Sequence, residues 1–593
     1  VCPYRFVQYY NPCTYGYSLA FWDWDRWQRE LDWMALHGVT MPLALEGQEA
    51  IWHGIWRSFG VSAAELDRFT VGPAHLPWHR MGNINRLYGP TPAGWIRRKR
   101  ELQEKILGRM IELGMTPVVP AFAGHVPGAF LRLHPSARIH CLLWESAESP
   151  GLPYETKTFF LDPGADAALF QEIGRRFITE YRRQFGVGEY YLADPFNELI
   201  PPVSQANRLE DLRRIAASIY GGIAAGDPNG KWVMQGWMFT AGWRFWNPEN
   251  TRAFLSGVPD ERMLIIDYPT DIPSSEQPAW RRFDGFYGKP WIQGMVHVFG
   301  GNDNVRGDLP QIASQPAETL ADPRRGNLAG WGMLMEGIET NEVVYELMTD
   351  VGWSERKIDL ETWIPAYCRA RYGACPSAMR EAWRLLLRSA YSFVGYRWSA
   401  HHAFQTRPSL EPKAVNIAAG PLFQRAVDRF LECADELGGG RLYRNDLIEF
   451  VAQAVGSHVD GRLTAACAAH RARNVRARDR AAAEALSMLE QLDAWFDVRP
   501  DRRLATWTER ARSWADGPDE AASYDSNARC LVTFWGWTDL DDYASRLWSG
   551  LIGDYYRQRW SWFFRNLPAD SAKPPSADAY QELAEQLQAW LSA

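Results

Sequence analysis

Eight short apolar, β-rich runs alternate with amphipathic helical stretches over the first 340 residues, and beyond about Asp350 strand-like runs stop. The runs are 6–13 (FVQYYNPC), 39–45 (VTMPLAL), 116–122 (TPVVPAF), 189–198 (EYYLADPFNE), 231–237 (KWVMQGW), 263–268 (MLIIDY), 291–301 (WIQGMVHVFGG) and 330–337 (GWGMLMEG). With helices such as Trp27–His37 and Arg97–Gly114 between them, this order predicts an α/β fold, a (β/α)8 TIM barrel. The second of those helices ends on Gly114 and runs straight into a strand, which is ordinary αβ punctuation. Past the barrel, 383–392, Leu422–Leu437, the Ala-rich Leu463–Phe496, Asp541–Leu567 and Asp578–Leu591 carry apolar residues at helical spacing. Two domains are therefore expected: a barrel over 1–349 and an all-α C-terminal domain over 350–593. The stretch 394–412 breaks the helical pattern and reads as a long loop.

Composition narrows the function classes. A chain of 593 residues exceeds one core, and 46% hydrophobic with 23% charged residues is typical of globular proteins. A net charge of −7 gives no reason to expect nucleic acid or an anionic membrane as partner. The 29 tryptophans suit sugar binding, because an indole stacks on an apolar sugar face while its N–H reaches a polar group, but they suit a large core as well. Eight cysteines without a CxxC pair form neither a disulfide framework nor a zinc ribbon. No apolar run is long enough to span a bilayer. HExxH, GxSxG, Walker and GxGxxG signatures are all missing, so neither metal nor other cofactor is expected. The chain opens VCPYRF without an initiator methionine, which reads as processing or truncation. No Asn-x-Ser/Thr acceptor occurs, which leans the reading toward a bacterial protein, exported or cytoplasmic.

Two of the strand-like runs lead into a glutamate, Glu198 in DPFNE and Glu336 in MLMEG. Barrel strands present side chains at their C-terminal rim, and two carboxyls there suggest glycosidic cleavage by an acid and a nucleophile. Asn197, directly before Glu198, could donate to a sugar hydroxyl. The plainer reading of Glu198 is a rim glutamate held in a salt bridge. Glu336, flanked by Gly332, Met333, Met335 and Gly337, is expected to be partly desolvated and so more basic unless a donor compensates. Glu339 and Glu342 read better as the acidic start of a helix. Asp194, Asp267 and His297 are further rim candidates, with a structural role favoured for the histidine.

The segments YYNPCTYGYSLAFWDWDRWQRELDWMALHGV, EGQEAIW, RMGNINRLYGP, PAFAGHVP, DPFNE, MQGWMF, HVFGGN, MEGIETNEVVYELM, WRLLLRS and LDDYASRLWSGLIGDYY closely resemble the alpha-N-acetylglucosaminidases, glycoside hydrolase family 89. The matches run in order from about residue 4 to residue 565. The resemblance implies a catalytic barrel followed by a helical domain, and exo-hydrolysis of terminal α-linked N-acetylglucosamine (GlcNAc) with retention. It assigns Glu198 as general acid/base and Glu336 as nucleophile. It places Asn11, Cys13, Trp144, Asn197, Trp237 and His297 of the barrel, and Trp535 and Tyr543 of the helical domain, around the substrate. The implied partner is a glycan ending in α-GlcNAc, with oligomeric state open. Three departures stand out. Members usually carry a small domain ahead of the barrel, whereas this chain begins almost at the first barrel strand, which reads as loss of that domain or as a fragment. Leu87 replaces an aromatic residue, and Val298 replaces a polar one.

Stereochemistry agrees with that assignment. In an α-linked GlcNAc the acetamido and leaving groups share a face, so the amide cannot attack the anomeric carbon from behind. The protein must supply the nucleophile, and carboxyls about 5–5.5 Å apart serve retention while ~6.5–9.5 Å admits water and inversion. The charge of Glu336 is expected to raise the pKa of Glu198. Two other readings compete: an α-glycosidase with a different sugar preference, and a catalytically silent carbohydrate-binding protein on the same scaffold.

Overall fold

The computed structural model describes residues 2–144, 156–164, 166–271, 277–392, 400–536, 540–568 and 571–592. Eight parallel strands form the barrel: β1 (Phe6–Tyr9), β2 (Met41–Pro42), β3 (Val119–Pro120), β4 (Tyr190–Leu192), β5 (Lys231–Gln235), β6 (Met263–Asp267), β7 (Trp291–Met295) and β8 (Leu328–Met333). Strand β1 pairs with β2 on one side, Gln8 opposite Met41, and with β8 on the other, Phe6 opposite Gly330. The sheet closes where Leu43 bridges Val118: Val118 N donates to Pro42 O at 2.9 Å and Ala44 N to Val118 O at 2.8 Å. Closure removes the free sheet edges. All eight apolar runs fall on these strands, each strand being shorter than its run. Each run also continues past the C-terminal end of its strand, toward the rim where the backbone turns.

The helices are built by apolar spacing and explicit caps. Asp23 accepts from Arg26 N to start the helix Trp24–Leu36, which buries Trp27, Leu31 and Met34 at i, i+4, i+7. The helix Ala167–Phe185 begins at the Asp166 cap and stops at Gly186, whose φ of 70° suits glycine. It buries Phe170, Ile173, Phe177, Ile178 and Tyr181, each such side chain contributing roughly 1.5–3 kcal/mol of hydrophobic stabilisation.

One element was not expected. Between β3 and β4 a three-stranded antiparallel sheet is inserted, His125–Val126, Lys157–Leu161 and Ile139–Leu143 in spatial order. Its strands are short and irregular in sequence, so no clean alternation marks them.

After the barrel the described residues are helical, as expected, with two corrections. The Ala-rich stretch is not continuous: Arg441–Arg471 and Val475–Phe496 form an antiparallel pair, broken where Arg473 adopts φ 58° and Asn474 caps the second helix. Within Asp541–Leu567, helix starts only at Leu551, and the preceding segment is a turn-rich arm reaching the barrel rim. Of the expected loop 394–412, residues 394–399 lie outside the described residues, and the rest holds only the short turn Ala403–Gln405.

Candidate active site

At the C-terminal rim of the barrel lies a cavity of about 680 Å3, walled by Glu198, Glu336, Asn11, Cys13, Trp144, Asn197, Trp237 and Tyr543 among others. Eight of the ten residues expected at the site are thus brought together from both halves of the chain.

Glu198 is not on its strand. It follows the turn after β4 and sits at φ 55°, a left-handed conformation uncommon for glutamate. Two indoles hold its carboxyl: Trp144 Nε1 donates to Oε2 at 2.7 Å, and Trp237 Nε1 to Oε1 at 2.9 Å. Trp144 is delivered by the inserted sheet, just past Leu143, and Trp237 by the short helix that follows β5. The Trp237 ring lies nearly parallel to Tyr268, with centroids 6.3 Å apart. Asn197 Nδ2 donates to Asn83 Oδ1 at 3.1 Å, and Asn83 Nδ2 returns a bond to the Asn197 carbonyl at 2.9 Å. That pair fixes the turn carrying Glu198.

Glu336 is deeper, 9% exposed, and follows β8 by three residues. Burial pushes its carboxyl up to about 8, with the nearby Glu198 charge adding to the shift. Hydrogen bonds from Gly300 N–H, 2.5 Å from Oε2, and from the Cys13 thiol act in the opposite direction. The expected desolvation and its compensating donors are both present. Gly300 reaches the carboxyl because it takes φ 63°, and a Cβ there would lie 2.5 Å from Tyr543 O. Gly337 permits a different close approach: its Cβ would meet Gly301 Cα at 2.5 Å. Gly332, by contrast, faces Gln8 and Ile292 inside the barrel, not the cavity.

Two expected site residues stand behind the wall. His297 is buried, its N–H donates to Asp271 Oδ2 at 2.7 Å, and burial pushes its imidazole down to about 3. The ring is neutral and His297 is not among the residues lining the cavity. Trp535 packs edge-on against Trp144 and Trp78 and donates to Tyr17 OH at 3.0 Å. Asp194 and Asp267 are also internal: Gln235 holds the first through two bonds, and the second accepts from Trp280 N at 3.0 Å. Glu342 opens the helix Glu342–Val351 as expected, whereas Glu339 lies ahead of that helix and accepts from Ser18 Oγ. Neither Leu87 nor Val298 lines the cavity; Val298 contributes its carbonyl, which accepts from Glu336 N at 3.1 Å.

Sequence reasoning did not single out Tyr17, Trp78, Gln235, Tyr268, Phe299 or Leu540, all of which line the cavity. Tyr268 and Phe299 each lie at or just beyond the end of a strand run, a positional signal that was available. Trp78 offers none among 29 tryptophans. Among the described residues no cluster of metal-ligating side chains occurs and no helix is long and apolar enough to cross a membrane.

Comparison with known proteins places this architecture. Residues 5–355 match the family model described as the alpha-N-acetylglucosaminidase (NAGLU) TIM-barrel domain, and residues 363–592 match that of its C-terminal domain. A human alpha-N-acetylglucosaminidase is 36% identical over 571 residues, which cover 95% of this chain and 75% of the human one. A family 89 glycoside hydrolase from Clostridium perfringens, solved in complex with PUGNAc, superposes with a TM-score of 0.89 at 26% identity. The match covers 100% of this chain but 66% of the clostridial one. A form of the clostridial protein with two Glu-to-Gln substitutions, in complex with its substrate GlcNAc-alpha-1,4-galactose, gives 0.88 at 27% identity and the same coverage.

Proposed function

The chain belongs to the alpha-N-acetylglucosaminidase family, and on that premise we propose that it hydrolyses terminal α-linked GlcNAc with retention of configuration. The observation that carries this reading is the convergence of Glu198 and Glu336 on one aromatic-walled cavity. A substrate complex of a clostridial relative bearing two Glu-to-Gln substitutions adds support.

In the proposed cycle Glu336 attacks the anomeric carbon while Glu198 protonates the departing oxygen. Glu198 then removes a proton from the water that releases the sugar. The cycle needs one proton shared by the two carboxyls. With the cavity empty, burial favours placing it on Glu336. An arriving anomeric centre gains positive charge, which favours anionic Glu336 and leaves the proton for Glu198. The two indole N–H groups fix the plane of the Glu198 carboxyl, one per oxygen. Tyr17, Trp78 and Trp237 contribute aromatic rings to the cavity wall, the kind of surface that packs on the apolar face of a sugar.

The helical domain completes the cavity through Leu540 and Tyr543. A division at 349/350 would cut the helix Glu342–Val351, so we place the boundary in the non-helical 352–359.

A panel of nitrophenyl α-glycosides tests the reading, with the GlcNAc glycoside expected to turn over fastest. Early product should be the α anomer by NMR. Binding of α-GlcNAc glycans without turnover would support the silent binding protein, and β-anomeric product would overturn retention.

A further inference from the structure

Behind the cavity, at the junction of barrel and helical domain, two fully buried polar side chains meet in apolar surroundings. His75 lies on the short turn Pro73–His75, and Asn527 on the helix Pro518–Leu531. Asn527 Oδ1 accepts from Ala74 N at 2.8 Å, which fixes the orientation of the amide. Its Nδ2 therefore points to His75 Nδ1, 2.7 Å away. An amide nitrogen only donates, so Nδ1 accepts and the imidazole carries its hydrogen on Nε2. That Nε2 lies 3.1 Å from the carbonyl of Trp535 and donates to it. Burial pushes His75 down to about 3, which favours this neutral form near neutral pH.

The carbonyl so held belongs to a residue under backbone strain. Trp535 takes φ 55°, which a bulky side chain rarely adopts, and its own N–H is tied to Cys530 O at 2.7 Å. From that fixed position its indole packs edge-on against Trp144, centroids 5.5 Å apart, and against Trp78 at 4.8 Å. Trp144 in turn donates to Glu198 Oε2. A continuous set of contacts thus runs from the domain junction to the carboxyl assigned as acid/base.

We propose that His75 and Asn527 are positioning residues: together they seat Trp535 behind Trp144 and so hold Glu198 where it can protonate the leaving oxygen. The inference rests on the assignment of Glu198 in the preceding section. Neither residue touches the cavity. Their influence therefore acts through Glu198, and within the glycosylation step leaving groups that depart without a proton bypass it.

The test compares kcat/KM, which reports the glycosylation step, for 4-methoxyphenyl and 2,4-dinitrophenyl α-GlcNAc. In His75→Phe the methoxyphenyl value should fall about tenfold, a fraction of the roughly 100- to 10,000-fold that general acid catalysis contributes. The dinitrophenyl value should stay within about twofold, since that phenol leaves as its anion. His75→Gln, which restores a donor to the Trp535 carbonyl, should recover most of the loss. If His75→Phe does not fold, Asn527→Ser is read in the same way. Equal losses on both glycosides, or no loss on the methoxyphenyl one, would overturn the proposal. A wild-type chain that cleaves neither glycoside would instead remove the reading on which it depends.

Discussion

Trp144 and Glu198, 54 positions apart, meet through an indole N–H to carboxylate bond of 2.7 Å. The bond joins an inserted hairpin to a barrel turn, so the hairpin is part of the active-site wall and not a peripheral decoration. Trp237, from the rim of β5, holds the other carboxylate oxygen at 2.9 Å. Clamped from two elements, the Glu198 carboxyl has its plane set before any sugar arrives, which is the preorganisation that the proposed proton transfer requires.

Trp237→Phe keeps an aromatic face against Tyr268 and removes the N–H together with part of the indole. A hydrogen bond to a charged group is worth about 1.5–3 kcal/mol when buried, and the half-buried Glu198 puts the effect at the low end. Loss of roughly tenfold in kcat/KM, with melting temperature nearly unchanged, is the expected outcome. Unaltered turnover in steady-state assays would mean the Trp237 bond does not matter to the acid/base group.

Glu336→Gln should abolish glycosyl-enzyme formation, with a fall in kcat of about 10,000-fold or more. Intact mass spectrometry after trapping with a slow 2-fluoro glycoside would reveal any residual adduct. The same variant carries a stability signature. Folded Glu336 is held up to about 8, above the ~4.3 of an unfolded chain, so the native state keeps a proton that the unfolded state gives up. Its contribution is fully present below about pH 4 and is lost as pH rises through about 8. Glutamine does not titrate. The variant's melting temperature relative to wild type should therefore climb between pH 5 and 8.5, and a flat difference would contradict the shift.

Gly300 and Gly186 both have left-handed backbones, φ 63° and 70°, but only the first is crowded: nothing lies within 4 Å of a Cβ at Gly186. Gly186→Ala should cost about 1–2 kcal/mol of stability and leave activity intact. Gly300→Ala adds a clash with Tyr543 O and displaces the N–H that serves Glu336, so it should lose both stability and turnover. Thermal melts and aryl glycoside rates on the two variants separate strain from function.

Much of this was legible in the chain. Barrel strands announce themselves through apolar runs with β-branched and aromatic residues, and all eight were found. Glu198 and Glu336 were visible because they follow two of those runs directly. What local sequence could not give is depth: His297 belongs to a recognisable segment and Trp535 lies just ahead of another, yet both stand one layer behind the wall. Tyr17 shares the segment of Asn11 and Cys13 and does face the cavity, but periodicity does not separate it from the many aromatics that pack the core. The inserted sheet escaped because its strands of two and five residues carry no sustained alternation.

The junction between barrel and helical domain depends on a buried ion network whose removal should be felt at the site. Arg502, 1% exposed, donates to Glu449 through Nε at 3.2 Å and also through Nη2, and approaches Asp303 at 3.9 Å. Arg499 bonds the same Glu449 at 2.7 Å. Asp303 belongs to the loop after β7, and its other oxygen accepts from Leu547 N at 2.8 Å, on the arm that carries Tyr543. Burial alone would lift the Glu449 carboxyl, but the two guanidinium groups hold it below its ordinary value. Arg502→Met leaves buried charge short of a partner, which typically costs about 3–5 kcal/mol. A depressed carboxyl contributes stability above its unfolded pKa of ~4.3 and loses it as pH falls through the folded value. The penalty of Arg502→Met should accordingly be largest near neutral pH and shrink toward pH 3. Arg502→Met combined with Glu449→Gln should recover part of the loss in a double-mutant cycle followed by urea unfolding. A penalty independent of both pH and the state of residue 449 would show that the arginine acts by packing alone.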